Sequence, residues 1–279
     1  MGRVQGRRAV VTAATDGIGL AIARRLCLEG AHVLLSSRKP ANVERAVAEI
    51  EAVAGPEVGT VEGMVSSRKH LVSLRGVPGL NRMDTQVCHV GKRADRDALV
   101  ERARAKWGPG TSVDIFISNA AVNPAAGSIL EMSEAAVAKI LDVNVAAAVG
   151  LTQLFAPHLA DNGAVLYVSS VTAYQPRTPL GMYAVSKTAL LGLTKAVAQE
   201  LAPRGIRCNS LCPGIVPTKF AGALVADEDL VRQQEATTML GRLGTADEMA
   251  KAALFLVSSD AGYVTAENLV VAGGMASKL

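Results

Sequence analysis

The sequence predicts an α/β fold. It reads as a single doubly wound domain over 1–279, with a seven-stranded parallel sheet held between two layers of helices (α/β/α). Three observations carry this. Seven short runs rich in aliphatic and β-branched residues alternate with six helical patterns, the order expected when helices form the crossovers of a parallel sheet. No linker, low-complexity tract or internal repeat divides the chain. Finally, 279 residues with 49% hydrophobic and 19% charged side chains suffice for one large core and exclude a disordered or fibrous chain.

The first run, 9–13 (Ala-Val-Val-Thr-Ala), leads into a helical pattern over 18–28. There Ile18, Ile22, Leu26 and Cys27 recur on one face that can pack on the sheet. A second run, 32–36, precedes the helical stretch 41–53. The third run, 87–90, precedes a helix over 94–107, and the fourth, 115–118, one over 133–155. The least charged stretch, 143–159, carries Asn144, Thr152, Gln153, Pro157 and His158, which points to a buried helix and not a membrane span. Runs at 165–169 and 207–211 bracket a helix over 182–201, and a last helix, 246–257, leads to a seventh strand at 268–271.

One stretch breaks the rhythm. More than 30 residues separate the second helix from the third strand, where a helix-to-strand loop needs about 2–6. Residues 62–86 show neither helical nor strand period and contain Gly63, Gly76, Pro78 and Gly79. They read as an insert at a sheet edge, extruded to the surface because loop closure grows only slowly with length. Two origins fit: a genuine loop, or a short in-frame retained intron, since Val codons begin GT and one Gln codon is CAG. The insert motivates one alternative function, a dinucleotide-binding protein with impaired catalysis.

The net charge is +4, but Lys and Arg are interspersed with acids. With 1 Trp, 4 Tyr and 4 Phe there is little on which to stack bases, so no nucleic-acid partner is expected. Cys27, Cys88, Cys208 and Cys212 do not make a disulfide framework, and Cys208-x3-Cys212 lacks a second ligand pair, so no metal site is expected. The N-terminus reaches Ala9-Val10-Val11 almost at once, leaving no room for a leader. The chain ends Ser277-Lys278-Leu279, a receptor-read peroxisomal address, so import-receptor binding and a peroxisomal location are expected.

Thr12-Ala13-Ala14-Thr15-Asp16-Gly17-Ile18-Gly19 lies between the first strand and first helix, where a doubly wound fold binds a dinucleotide. Glycines let the backbone approach a pyrophosphate, and free N–H groups with the helix dipole stabilise its charge. The second strand ends in Ser36-Ser37-Arg38-Lys39, without the acid that would accept hydrogen bonds from the ribose hydroxyls of NAD. Hydroxyls and cations there suit a 2′-phosphate, which favours NADP(H). Tyr183-Ala-Val-Ser-Lys187 is an i, i+4 pair, with phenol and ammonium on one helix face. The ammonium is expected to lower the phenol pKa toward the working range of an acid–base catalyst. Ser170 follows a strand's carboxyl end and can hydrogen-bond a substrate oxygen.

Together the turn at 12–19, Ser170, Tyr183 and Lys187 resemble the classical short-chain dehydrogenase/reductase family, a Rossmann fold. Asn144 in Leu-Asp-Val-Asn-Val and the segment Pro213-Gly214-Ile-Val-Pro-Thr218 add to the likeness, which spans nearly all of the chain except 62–86. The resemblance implies catalytic Ser170, Tyr183, Lys187 and Asn144. It implies that cofactor is bound by Thr12, Ala14, Asp16, Gly17, Ile18, Gly19, Ser37, Arg38, Lys39, His89, Val90, Asn119, Ala120, Lys187, Pro213, Gly214, Val216 and Thr218. The helices 133–155 and 182–201 form the common dimer surface in that family, so a homodimer or homotetramer is expected.

Within the family, the runs TDGIGLAIARRL, GAHVLLSSRK, VCHVGK, SNAAVNP and SKTALLGLTK are similar to the NADPH-dependent retinol dehydrogenase/reductase (carbonyl reductase) branch. Departures from the general pattern are Ala13 for the first turn glycine, Ser118-Asn119-Ala120-Ala121 for Asn-Asn-Ala-Gly, and His89 for an acid. All three look like features of that branch, though Ala13 puts a Cβ where the backbone turns tightly. Segments 171–180 and 220–240 should flank the pocket, the second as a helical lid. Tyr174 could add an aromatic wall or serve only in packing. The expected substrate is an apolar ketone or aldehyde such as retinal, an aromatic ketone or a dicarbonyl. The alternative is a 3-oxoacyl- or dienoyl-CoA.

Overall fold

The computed structural model describes residues 2–54, 62–63, 83–108, 110 and 112–277. Within these, most of the alternating runs form the expected elements, all of the strands parallel. The strands are β1 (Arg8–Val11), β2 (His32–Ser37), β3 (Glu62–Gly63), β4 (Met83–Val87), β5 (Val113–Ser118), β6 (Leu159–Val168), β7 (Arg207–Pro213) and β8 (Asn268–Val271). The helices are α1 (Gly17–Leu28), α2 (Pro40–Ala54), α3 (Arg93–Trp107), α4 (Glu134–Leu141), α5 (Ala147–Phe155), α6 (Gly181–Leu201), α7 (Glu228–Glu235) and α8 (Ala246–Val257). Seven strands of four or more residues make the predicted sheet, and the two-residue β3 extends one edge, in the order β3-β4-β2-β1-β5-β6-β7-β8.

Period-two alternation splits the sheet's side chains between two cores. Val10, Leu34, Phe116, Val165 and Tyr167 face the layer containing α3, α5 and α6. Val11, Val33, Leu35, Ile117 and Leu166 face α1, α2 and α8. The order reverses between β1 and β5, so their carboxyl ends open the crevice in which doubly wound sheets bind ligands.

Three expectations on boundaries are corrected. The third long strand is β4, Met83–Val87, not 87–90, so the last residues assigned to the insert are sheet. Its Asp84 and Gln86 are poor strand formers, which masked the run. Residues 62–63 are also strand, pairing Glu62 with Asp84 and Gly63 with Thr85, while 64–82 lie outside the described residues. The fifth strand starts at Leu159, before a register shift between Val113 and Ile115.

The helix expected over 133–155 is interrupted by a π-helical turn, Asp142–Ala146, between α4 and α5. The run Glu134–His158 is long and apolar enough to cross a membrane by length and composition. Here Val143, Leu151 and Phe155 pack into the core, and the Phe155 ring stacks on Phe116 of β5 at 4.8 Å. All four cysteines are free and buried, and no group of metal-ligating side chains occurs among the described residues.

Candidate active site

At the end of β1 the chain turns tightly into α1. Gly17 has φ +53, and a Cβ on Gly19 would lie 2.6 Å from the Ala13 carbonyl oxygen, so both positions need glycine. Ala13 itself has φ +51, a left-handed conformation that strains an alanine. Asp16 caps α1 by accepting from the Gly17 N–H at 2.8 Å, which also fixes Ile18 at the start of the helix. Ala14 N–H donates to the Ser36 carbonyl at 2.9 Å, and Thr15 Oγ1 donates to Ser37 Oγ at 2.8 Å, joining the turn to the end of β2.

Across the crevice Thr12 Oγ1 accepts from the Asn119 and Ala120 N–H groups at 3.0 and 3.3 Å. Asn119 Nδ2 returns bonds to the carbonyls of Thr12 and Ala13 at 3.2 and 3.1 Å. Pro213 ends β7, Gly214 N–H donates to the Val271 carbonyl at 2.9 Å, and Val216 is buried. Thr218 brings this segment back over the turn, its methyl 3.0 Å from where a Gly17 Cβ would sit. The predicted cofactor residues therefore line one crevice at the carboxyl ends of β1, β2, β4, β5 and β7.

The crevice fits a nicotinamide dinucleotide. At its adenosine side Ser36 Oγ and His89 Nδ1 are buried with no hydrogen-bond partner among the described residues, although such atoms normally have one. His89 is held by its backbone N–H on Asp95 at 2.8 Å, and Val90 beside it is buried. Arg38 and Lys39 are exposed and form no ion pair among the described residues, which leaves them available to an anion.

The reactive groups converge beyond β6. Ser170 caps a short 3-10 turn, Val171–Ala173, and its Oγ accepts from Thr172 N–H at 3.2 Å and from Thr172 Oγ1 at 2.9 Å. With both lone pairs used, the Ser170 O–H remains a donor, and it stands close enough to Tyr183 to favour the ionised phenol. Tyr183, Ser186, Lys187 and Leu190 form one buried face of α6 at i, i+3, i+4 and i+7. Lys187 Nζ donates to the Val168 carbonyl at 2.7 Å and lies 5.7 Å from the centre of the Tyr183 ring.

Electrostatics correct one expectation. Burial holds the Tyr183 phenol above its ordinary pKa, and the Ser170 hydrogen bond only offsets this, so Lys187 does not depress it here. The same burial lowers the Lys187 ammonium to about 8, with the Cys212 thiol opposing. Desolvation of two groups that are 8% and 2% exposed outweighs their mutual effect.

Asn144 sits within the π turn, a feature common at functional sites. Its Oδ1 accepts from Val122 N–H at 2.8 Å, and its Nδ2 donates to the Val122 carbonyl and to Ser186 Oγ, both at 3.0 Å. Ser186 Oγ donates in turn to the Tyr183 carbonyl at 2.6 Å. Asn144 thus ties the loop after β5 to the helix of Tyr183.

Sequence reasoning missed Thr172 and Ser186, whose hydroxyls find their partners only in the folded chain. Tyr174 belongs to the packing: its hydroxyl donates to the Asn268 carbonyl at 3.3 Å, and burial pushes its pKa up to about 12. The aromatic neighbour of Tyr183 is Phe220, with ring centres 5.5 Å apart, on the 3-10 turn Lys219–Leu224.

Comparison with known proteins gives the same grouping. A family model described as "short chain dehydrogenase" matches residues 7–77, and one described as "Enoyl-(Acyl carrier protein) reductase" matches 79–276. The two matches meet inside 62–86. The chain is 44% identical to "Tropinone reductase-like 3" of Erythroxylum coca over 99% of its length and 96% of that protein's. It is 45% identical to "Dehydrogenase/reductase SDR family member 4" of Sus scrofa, covering 99% and 89%. Among solved structures, a short chain dehydrogenase of Burkholderia cenocepacia in complex with NADP superposes with a TM-score of 0.81 at 28% identity, covering 98% of this chain and 99% of that one.

Proposed function

Because this chain belongs to the classical short-chain dehydrogenase/reductase family, we propose that it is an NADP(H)-dependent oxidoreductase that reduces apolar ketones and aldehydes. Retinal, aromatic ketones and dicarbonyls are the substrate class. The observation that carries this is the convergence of Ser170, Tyr183 and Lys187 at the carboxyl end of β6, facing the crevice beside β1 and β5.

Bound cofactor would supply the hydride, so that carbonyl, NADPH and one proton become alcohol and NADP+. Ser170 donates its hydroxyl to the carbonyl oxygen, and Tyr183 gives that oxygen a proton as negative charge develops. Burial keeps Tyr183 protonated between turnovers. Lys187, held by the Val168 carbonyl and 5.7 Å from the centre of the Tyr183 ring, would bind the nicotinamide ribose. Asn144 ties the loop after β5 to α6 through Val122 and Ser186, and would organise the proton relay to Tyr183. Ser37, Arg38 and Lys39 would receive the 2′-phosphate of NADP(H), a preference in line with the NADP complex of the Burkholderia cenocepacia protein.

A second reading, reduction of a 3-oxoacyl- or dienoyl-CoA, draws on the family description naming an acyl-carrier-protein reductase. Ser277-Lys278-Leu279 supports import into peroxisomes through the receptor that reads this tripeptide, and the family resemblance supports a homodimer or homotetramer. NADPH oxidation with retinal, a vicinal diketone and acetoacetyl-CoA discriminates the readings. Turnover confined to acetoacetyl-CoA would replace the first by the second.

A further inference from the structure

Phe220 is 55% exposed, yet its ring rests against a catalytic phenol that is itself 8% exposed. Its neighbours anchor it to the cofactor turn at the start of α1. Lys219 Nζ pairs with Asp16, the cap of α1, at 2.8 Å, and the Thr218 methyl packs on Gly17. Arg45 approaches the same Asp16 oxygen, Oδ2, at 3.6 Å. The cofactor turn therefore dictates where this phenylalanine stands.

Resting on the carbonyl-reductase reading, we propose that Phe220 determines specificity. A substrate whose carbonyl oxygen reaches the Tyr183 and Ser170 hydroxyls lies with the adjoining group along the Phe220 face, which selects planar, conjugated groups over saturated rings of equal size. Three features support this. A tilted aromatic neighbour offers offset or edge-to-face contact to a flat π system, and a puckered ring of the same carbon count cannot match it. Tyr174, the other aromatic of the pocket segments, is turned to Asn268. Lys219, the nearest cation on this turn, is engaged with Asp16, so an anionic tail gains little here.

The test compares acetophenone with cyclohexyl methyl ketone, equal in carbon skeleton but flat against puckered, as NADPH-linked substrates of the full chain. Phe220→Ala and Phe220→Leu are expected to lower the ratio of kcat/KM for acetophenone to that for the cyclohexyl ketone about 3- to 10-fold, mainly through KM. Phe220→Tyr should keep the ratio, and melting temperatures should not move because the ring is half exposed. An unchanged ratio, or equal changes for both ketones, overturns the assignment and leaves the carbonyl-reductase reading standing. A wild type that reduces neither ketone, nor retinal, nor a diketone brings down both.

Discussion

The carboxyl ends of β6 and β7 and those of β2 and β4 treat buried polar groups in opposite ways. At the reactive end Lys187 Nζ, Asn144, Ser186 and Ser169 all have protein partners at 2.6–3.0 Å. At the adenosine end Ser36 Oγ and His89 Nδ1 are buried without one among the described residues, and toward the amino end of β4 so is Asp84 Oδ2. The first region is finished by its own hydrogen bonds, whereas the second leaves Ser36 Oγ and His89 Nδ1 for a guest. Asp84 is fully buried in β4, and burial raises its pKa even though Arg102 approaches its other oxygen at 2.7 Å. That strand takes in the last residues, 83–86, of the unusual segment 62–86. Chemistry and cofactor affinity should therefore fail separately under mutation.

The largest expected effect is at the reactive end. Lys187→Met should reduce turnover on the order of 10²- to 10³-fold, measured as NADPH oxidation at saturating ketone. The variant also gives a pH signature. The Lys187 ammonium is held near 8 against an ordinary 10.5, so between these values the unfolded chain binds more protons than the folded one. Stability of the wild type contributed by this group therefore rises as pH increases from 8, until near pH 10 the Tyr183 phenol, kept protonated in the fold but ionising in the unfolded chain, opposes it. Melting curves of the wild type should show that increment and those of Lys187→Met should lack it.

Next in size is the Asp84–Arg102 pair. Arg102→Leu leaves the buried Asp84 carboxylate with only the Thr85 N–H and the charge of Lys106 among the described residues, and should destabilise the protein by about 3 kcal/mol in urea unfolding. Asp84→Leu removes the buried group itself, leaves a guanidinium that reaches solvent, and should cost less. A smaller effect is expected where the cations await an anion. The pair Arg38→Ala and Lys39→Ala should lower the preference for NADPH over NADH roughly 10- to 100-fold through KM, leaving kcat unchanged. A fall in kcat would mean the two ends are not separable. The smallest is Ala13→Gly, which removes a left-handed alanine and should add up to about 1 kcal/mol of stability by thermal melting.

The contrast also explains what could be read in the sequence. Tyr183, Lys187 and the 12–19 turn were legible in combination: one helix turn brings phenol and ammonium together, and the glycine pair stands between the first strand and the first helix, where a doubly wound fold binds its dinucleotide. Ala13 was recognised as a strained position, and its φ of +51 bears that out. The direction of the Tyr183 pKa was not legible, because it depends on burial by elements distant in sequence. Nor was β4, whose Asp84 becomes tolerable inside a sheet only once Arg102 of α3 reaches it. Phe220 was included only within a lid segment; its place beside Tyr183 depends on the Lys219–Asp16 pair, which joins residues far apart in the chain.

The most direct measurement sets binding against turnover in one sample: NADPH fluorescence titration and NADPH oxidation with an aromatic ketone, for the wild type and Tyr183→Phe. The expected result is active wild type and a variant that binds NADPH equally while turning over about 10³-fold more slowly. Near-normal turnover in Tyr183→Phe, or a wild type that binds NADPH and reduces no carbonyl, would contradict a preorganised carbonyl-reductase site.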